Sequence, residues 1–146
     1  MNAAVVSINI SAKKGVRKKP VDEALLIENF GIESDGHASD KWHRQVSLLA
    51  LESIKKMQDK GLKVVPGDFA ENITTEGIDL PSLPIGTRMT IGEEAEVEVT
   101  QIGKECHNKC AIYYQAGDCV MPKEGIFVKV LKGGKIKKGD KIVVKD

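Results

Sequence analysis

The chain has 146 residues, and its 22 lysine and arginine residues against 21 aspartate and glutamate residues leave a net charge of +1. A balance this close to neutral provides no electrostatic attraction to nucleic acid or to an acidic membrane, so neither is expected as a partner. The length suits a single domain with its own buried core, which we place over residues 1–146.

The amino-terminal segment has no charged stretch before an apolar run, and no part of the chain approaches the ~18 apolar residues of a membrane span. We therefore expect a cytoplasmic protein. Its three cysteines are an odd number, which in a reducing compartment argues against a disulfide framework and leaves the thiols for metal binding or catalysis. The sequence has no heptad seam and no long apolar edge, so it does not indicate the oligomeric state.

Short apolar runs separated by glycine and proline dominate the chain and predict strands. In chain order the predicted strands are Ala4–Ile10, Ala24–Ile27, Val46–Ala50, Ala70–Thr75, Thr87–Ile91, Ala95–Thr100, Gly125–Leu131 and Lys141–Lys145. The sixth strand alternates alanine or valine with glutamate, which is typical of a half-buried antiparallel strand, and Gly92–Glu94 links it to the fifth strand as a hairpin.

One helix is predicted, over Leu51–Lys60. Ile54 and Met57 are spaced to face the interior, and lysines lie toward its carboxyl end, where they complement the helix dipole. Gly61 follows at the position where a left-handed cap is usual.

Two stretches resemble each other, LPIGTRMTI at 83–91 and KIKKGDKIV at 135–143, and each places a glycine before an alternating strand. Many strands at near-regular spacing favour a closed or nearly closed β-barrel over an open sheet. The predicted fold is therefore mainly β with few short helices, within the α+β class.

A polar loop between the second and third predicted strands contains Asp35, Gly36 and His37, and then His43 and Arg44 beside the single tryptophan. Loops of this composition often contain binding sites. The alternative interpretation is a tight turn at Asp35 with His37 on the surface, and both interpretations stay open.

A second polar pair, Glu71 and Asn72, lies at the start of a predicted strand after the turn at Pro66–Gly67. A structural role in fixing the loop is favoured for Glu71. Asn72 is the better candidate for ligand binding, because an amide offers both donors and acceptors.

The three cysteines, Cys106, Cys110 and Cys119, lie close together in sequence. Thiolates are strong nucleophiles and soft metal ligands, so the cluster is suited to sulfur transfer, redox exchange or metal binding. Cys106 and Cys110 share a face if the segment is helical, and Cys110 would then resolve a persulfide on Cys106. Alternatively, Cys106 and Cys110 would hold a soft metal with Cys119 as a third ligand, although the spacings do not match structural zinc sites or ferredoxins. Burial without chemistry is the further alternative for Cys110 and Cys119.

Several of these segments together resemble the MOSC domain, named for the carboxyl-terminal domain of molybdenum-cofactor sulfurases. The resemblance spans nearly the whole chain and is closest to short, stand-alone bacterial members. Its most specific part combines GDFAENI at 67–73, a later LPIG at 83–86, and a cysteine after the strand that ends in VTQ at 99–101.

The resemblance implies a barrel-like β fold and a role as a sulfur carrier or a protein that binds the molybdenum cofactor. By position it implies that Cys106 is the persulfide-forming or metal-ligating cysteine. Family members often have an arginine and a proline just before this cysteine; Gly103 and Glu105 take those places here, so Lys104 is expected to substitute in part for the arginine.

Two function classes follow from the resemblance. In the first, Cys106 and Cys110 carry sulfur from a cysteine desulfurase or another protein of molybdenum-cofactor biosynthesis, and the chain is an accessory sulfur transferase. In the second, the chain only binds, stores or inserts the cofactor. The residues expected to bind it are Asp35, His37, Arg44, Asn72 and Lys104. No pyridoxal phosphate is expected, because the lysine region that precedes this domain in full sulfurases is not in this sequence.

Overall fold

Strands form most of the molecule in the computed structural model, which describes residues 3–12, 18–36, 38–103 and 124–145. Helix α1 (Leu51–Asp59) and a 3-10 turn (Leu80–Ser82) accompany them. The strands, in chain order, are β1 (Ala3–Ile10), β2 (Lys19–Val21), β3 (Glu23–Ile27), β4 (Gly31–Ile32), β5 (Val46–Ala50), β6 (Ile73–Glu76), β7 (Arg88–Ile91), β8 (Ala95–Ile102), β9 (Ile126–Lys132), β10 (Gly134–Lys137) and β11 (Lys141–Val144).

Seven of these strands close into a barrel in the order β11–β7–β8–β9–β5–β6–β1, and pairing of β1 with β11 completes the ring. Neighbouring strands are antiparallel except β5 and β6, which are parallel. Parallel strands need a crossover connection, and helix α1 lies in the one that joins β5 to β6. The predicted mainly β fold with a closed barrel is confirmed.

A smaller sheet of three strands, in the order β10–β3–β4, packs against the barrel. Leu26, Ile32 and Ile136 from this sheet belong to the same buried cluster as the inward-facing residues of the barrel strands. The small sheet therefore extends the barrel's core. Strands β2, β4 and β10 have two to four residues each, too few for an apolar period to appear in the sequence.

Helix α1 covers part of the outer face of the barrel. Ile54 and Met57 are buried in a second apolar cluster that also contains Leu49 and Phe127 of the barrel strands. The helix ends one residue before the predicted end, and Gly61 follows with φ +92°, as the sequence predicts. In the parts of the chain that the structure describes, no helix combines the length and the apolar character needed to cross a membrane.

Strand β6 begins at Ile73 rather than at the predicted Ala70. The reason is local, because Ala70 has φ +63°, which lies far from the extended region that strand residues adopt. The first of the two stretches that resemble each other ends in β7, and the second contains most of β10 and leads into β11; β7 and β11 pair, with Ile91 opposite Ile142. Gly86 and Gly139, which precede them, have φ values of +96° and +93°.

Candidate functional site

Five residues, four on strands and Asn72 just before β6, lie side by side on the outer face of the barrel. Gln101 of β8 and Ser47 of β5 are both paired with Phe127 of β9. The amide of Asn72 donates to the carbonyl of Ser47 at 3.0 Å, and the amide of Asn9 donates to the carbonyl of Asn72 at 2.6 Å. We call Gln101, Phe127, Ser47, Asn72 and Asn9 the cross-strand row.

The row faces outward because its neighbours along each strand face inward. For four of the row members, the residues before or after them belong to the barrel's buried cluster: Ile8, Val46, Leu48, Ile73, Ile126 and Val128. Gln101 follows a register shift in β8 and shares the face of Phe127, with which it is paired. Since side chains alternate along a strand, the row members point to the other face. Loops and helix α1 cover this part of that face, so Asn9, Ser47 and Asn72 are buried nonetheless.

Asn72 uses its whole side chain within the protein and is only 1% exposed. Its Oδ1 accepts from the amide of Ser47 at 3.0 Å and from the Ser47 hydroxyl at 3.3 Å. Its Nδ2 donates to the carbonyl of Asn9 at 3.3 Å, and the side chain also hydrogen-bonds Asp35. A carboxamide has two donor and two acceptor positions, so Asn72 orders the row rather than presenting free groups.

Asp35 forms a buried ion pair with Lys18, with 2.7 Å between Oδ1 and Nζ and side chains 1% and 0% exposed. The same oxygen accepts from the amide of Ser11 at 3.1 Å. Burial by itself raises the pKa of Asp35, but the bonds from Lys18, Ser11 and Asn72 outweigh it and hold the pKa below the usual value. Asp35 and Asn72, predicted from separate segments, are thus brought into contact, while His37 lies outside the described residues.

Glu71 is fully buried beside the row. Its Oε2 accepts from the hydroxyl of Thr74 at 2.8 Å, and its Oε1 has no geometrically sound hydrogen-bond partner among the described residues. Burial raises the pKa of this carboxyl, against weaker opposing contributions from nearby backbone amides and from Thr74. Asn9 Nδ2 donates to both the Glu71 carbonyl and Thr74 Oγ1, at 3.3 and 3.1 Å. These contacts agree with the role in fixing the loop that the sequence favoured for Glu71.

The loop before Glu71 is tightly constrained. Gly67 has φ +96°, and a Cβ atom placed on it would lie 2.4 Å from the backbone oxygen of Lys18. Ala70 has φ +63°, which costs a non-glycine residue roughly 1–2 kcal/mol. The Ala70 carbonyl accepts from the Ser47 hydroxyl at 3.3 Å, which ties the strained loop to the row.

Arg44 lies over the row at Phe127. Its guanidinium carbon is 5.3 Å from the Phe127 ring centroid and 5.0 Å from that of Trp42. Its Nε is buried and has no hydrogen-bond partner among the described residues. Trp42 is 52% exposed and stacks on His43 at 5.4 Å. Of the residues predicted to bind the cofactor, Arg44 is the one within the described ranges whose polar groups the protein does not use.

Three hydrogen bonds anchor the loop that contains Arg44. Gln45 Oε1 accepts from the amide of Val130 at 2.9 Å, while its Nε2 donates to Asn29 Oδ1 at 3.1 Å. The Thr100 hydroxyl donates to the carbonyl of His43 at 2.9 Å. Sequence reasoning missed Gln45, Ser47 and Lys18. Ser47 had a detectable signal, as the one polar residue in an apolar strand, whereas Lys18 was indistinguishable from its basic neighbours.

The segment that contains the cysteines starts and ends beside the row. The amide of Gly103 donates to the carbonyl of Gly125 at 2.6 Å. Glu124 Oε1 accepts from Ser53 Oγ at 2.7 Å and from Lys56 Nζ at 2.9 Å, which attaches the far end to helix α1. The predicted Cys106, Cys110 and Lys104 lie outside the described residues. Within the described ranges, no three His, Cys, Asp or Glu side chains gather in a way that suits a metal ion.

The fold matches solved structures of low sequence identity. The YuaD protein of Bacillus subtilis has a TM-score of 0.81 and 20% identity, with 99% of this chain and 96% of that chain covered. YiiM of Geobacillus stearothermophilus has a TM-score of 0.72 and 21% identity, with 99% and 75% covered. YiiM of Escherichia coli has a TM-score of 0.71 and 20% identity, with 100% and 70% covered.

No curated protein matches the chain. The family model described as the MOSC domain matches residues 33–143, a range that includes Asp35, Arg44, Asn72 and all three cysteines. This match covers about three quarters of the sequence, and the closed barrel agrees with it. The chain therefore belongs to the MOSC domain family.

Proposed function

We propose that this protein binds the molybdenum cofactor and handles sulfur for it through Cys106. The observation that carries the proposal is the position of the two ends of the cysteine-containing segment. Gln101 and Phe127, which flank residues 104–123, are paired members of the cross-strand row, and Phe127 lies next to Arg44. The described residues on either side of the cysteine-containing segment thus lie at the part of the barrel where Asp35, Arg44 and Asn72 are found, which supports the proposal.

Chain length is compatible with contact between Cys106 and this surface. Gln101 and Asn72 are separated by three strand spacings, which is about 14 Å at roughly 4.8 Å per spacing. Ile102 pairs with Ile126 and the Gly103 amide bonds to Gly125, so the three residues from Gly103 to Cys106 set the reach, which is at most about 11 Å. This length is enough for the thiol to reach the end of the row at Phe127, beside Arg44.

We assign different roles to the residues predicted to bind the cofactor. Arg44 is proposed as a direct contact, because a pterin cofactor has anionic oxygens and a guanidinium binds such oxygens with two parallel hydrogen bonds. Lys104 and His37 are proposed as further contacts. Asp35 and Asn72 are proposed to position the site, since their side chains are buried and bonded to each other, to Lys18 and to Ser47.

The proposed sulfur chemistry uses two cysteines. The thiolate of Cys106 attacks the terminal sulfur of a donor persulfide, such as that of a cysteine desulfurase; the donor's S–S bond breaks, a Cys106 persulfide forms and the donor leaves as a thiol. The thiolate of Cys110 then attacks the inner sulfur. A Cys106–Cys110 disulfide forms, hydrosulfide leaves for the acceptor, and a thiol reductant restores both cysteines.

The second candidate is a binding module without turnover, which stores or inserts the cofactor. Arg44 favours binding of an anionic ligand in both candidates, so the cysteines distinguish them. The expected partners, a desulfurase or other proteins of cofactor biosynthesis, and the cytoplasmic location remain predictions for either one.

Mass spectrometry of the intact protein tests the proposal. The test uses the Cys110→Ser protein, which lacks the thiol that would release the sulfur; after incubation with a cysteine desulfurase and cysteine, this carrier gains one sulfur, and peptide mapping finds it on Cys106. Cys106→Ser abolishes the gain, while Cys119→Ser, a matched thiol-to-hydroxyl change in the same segment, retains it. A protein that retains the cofactor but gains no sulfur is the binding module. A sulfur gain that survives Cys106→Ser contradicts the assignment of this cysteine.

A further inference from the structure

We infer that Arg44 is the anchor of a binding site for a tetrahedral, doubly charged oxyanion. The inference deepens the proposed function and rests on it for the identity of the natural ligand, which has such a group as a phosphate monoester or as a free metal oxyanion. The binding of the oxyanion itself follows from the surroundings of Arg44.

The two aromatic rings hold the guanidinium in place. Its central carbon lies 5.0 Å from the Trp42 centroid and 5.3 Å from the Phe127 centroid, both within the ~6 Å range of cation–π contact. Phe127 is 9% exposed and packs in the apolar cluster under helix α1, so the position of its ring is fixed by its neighbours. A guanidinium already held by its neighbours loses little conformational entropy when a ligand binds.

The protein provides Arg44 with no counter-charge among the residues that the structure describes. Arg88 offers a direct contrast, because its Nε lies 3.7 Å from a carboxylate oxygen of Glu98. Arg44 forms no such pair in the described ranges, although its Nε is buried. A partly desolvated cation without an anion is costly, and a bound oxyanion would remove that cost.

The burial of Nε also determines how an anion binds. With Nε covered by protein, the two terminal nitrogens form the edge of the guanidinium that a ligand can reach. Two parallel N–H groups match two oxygens of a phosphate-like group. A lysine at this position would keep the charge and lose this paired geometry.

Tryptophan fluorescence provides a local test, because Trp42 is the only tryptophan in the chain and lies in contact with Arg44. Full-length protein is titrated with inorganic phosphate, with molybdate and with chloride, at constant pH and ionic strength. We expect a saturable change in emission with phosphate or molybdate and none with chloride. Saturation by phosphate alone identifies a site for a phosphate group, saturation by molybdate alone identifies a site for a free metal oxyanion, and both support the inference.

Variants separate paired hydrogen bonding from charge. Arg44→Lys is expected to weaken binding at least about tenfold, because one bidentate contact is lost. Lys138→Gln is the matched control, since it removes one positive charge from an exposed residue that has no ion pair among the described residues, and it should leave binding unchanged. Equal affinities for the wild type and Arg44→Lys, or the absence of any saturable response in the wild type, would overturn the inference.

A chemical measurement on the wild type does not depend on the folding of a variant. Phenylglyoxal modifies arginine side chains, and peptide mapping reports each site separately. Phosphate or molybdate should slow modification of Arg44 and leave that of Arg88 unchanged; equal rates at Arg44 with and without the oxyanion would contradict the site.

Failure of this inference differs from failure of the proposed function. Cys106→Ser should keep the fluorescence response, because the oxyanion site does not need the thiol. A normal response without any sulfur gain on Cys106 overturns the carrier alone, and a sulfur gain without a fluorescence response overturns the oxyanion site alone.

Discussion

Asn72 and Ser47 bind each other in both directions. The amide of Ser47 donates to Asn72 Oδ1 at 3.0 Å, and the amide of Asn72 lies 3.0 Å from both the hydroxyl and the carbonyl oxygen of Ser47. Because the two residues lie where the parallel pair of β5 and β6 begins, this reciprocal contact sets the register at the centre of the cross-strand row.

A double-mutant cycle measures this contact. Asn72→Ala leaves the buried Ser47 amide and the Asn9 carbonyl without side-chain partners, and we expect a loss of about 3 kcal/mol in the free energy of unfolding. Ser47→Ala should cost less, because its main-chain bonds remain. The double variant should lose less than the sum of the two, as residues that share hydrogen bonds are coupled, whereas additive losses in urea denaturation would show that the two side chains act independently.

Gly67 tests the packing of the loop against Lys18. A methyl group at Gly67 would lie 2.4 Å from the Lys18 carbonyl oxygen, whereas at Gly86, which has the same φ of +96°, it would meet nothing within 4 Å. Both alanine variants lose stability through the positive φ, roughly 1–2 kcal/mol. Gly67→Ala should therefore destabilise the protein more than Gly86→Ala. Equal shifts in the denaturation midpoint would mean that the contact with Lys18 is easily relieved.

The pair of Asp35 and Lys18 predicts how stability responds to acid. A carboxyl whose pKa is lower in the folded state contributes stability above its unfolded pKa of about 3.9, and this stability is lost as the pH falls further. Asp35→Asn should cost about 3 kcal/mol at neutral pH, because Lys18 stays buried without its anion. The difference in unfolding free energy between wild type and variant should shrink as the pH falls below about 4, because the unfolded wild type then binds a proton at Asp35 that the folded state, with its lowered pKa, still lacks.

Asp22→Asn, at an exposed carboxylate, is the control for this acid titration. Its unfolding free energy should follow that of the wild type throughout. A difference between wild type and Asp35→Asn that stays constant down to the lowest pH would show that the ion pair with Lys18 does not lower the pKa of Asp35.

Glu71 predicts the opposite dependence. Its pKa is raised by burial, so the folded state holds a proton that the unfolded state releases above about pH 4.3, and stability falls as the pH rises from there. Glu71→Gln removes this loss. The variant should therefore gain stability relative to the wild type as the pH is raised from 4 to 8, while Glu76→Gln, at the exposed end of β6, should not. A constant difference across this range would mean that Glu71 is ionised in the fold.

The strands and the helix could largely be predicted because their apolar periods are long enough to recognise. Val46–Ala50 was predicted with its observed bounds, and Leu51–Lys60 exceeds the observed helix by one residue. Strands β2 and β4 left no such period. The start of β6 was misplaced because the sequence around Ala70 does not reveal its positive φ, which is imposed by the packing around it.

The sequence identified several residues of the candidate site but did not show what each of them does there. Asp35 and Asn72 were recognised as polar residues in promising loops, and they do contact each other. Their polar groups are occupied by Lys18 and Ser47, which are distant in sequence and come close to them only in the folded barrel. Arg44 is a better candidate than Asp35 or Asn72 for contacting a ligand, because the structure shows which charged groups already have partners and the sequence does not.

Retention of the molybdenum cofactor tests the account most directly. Wild type, Lys138→Gln and the double variant Cys106→Ser/Arg44→Gln are incubated with released cofactor and desalted, and the bound pterin and molybdenum are measured. The account predicts that the wild type and Lys138→Gln retain both in equal amounts and that the double variant retains neither. Equal retention by all three proteins, or by none, would contradict it.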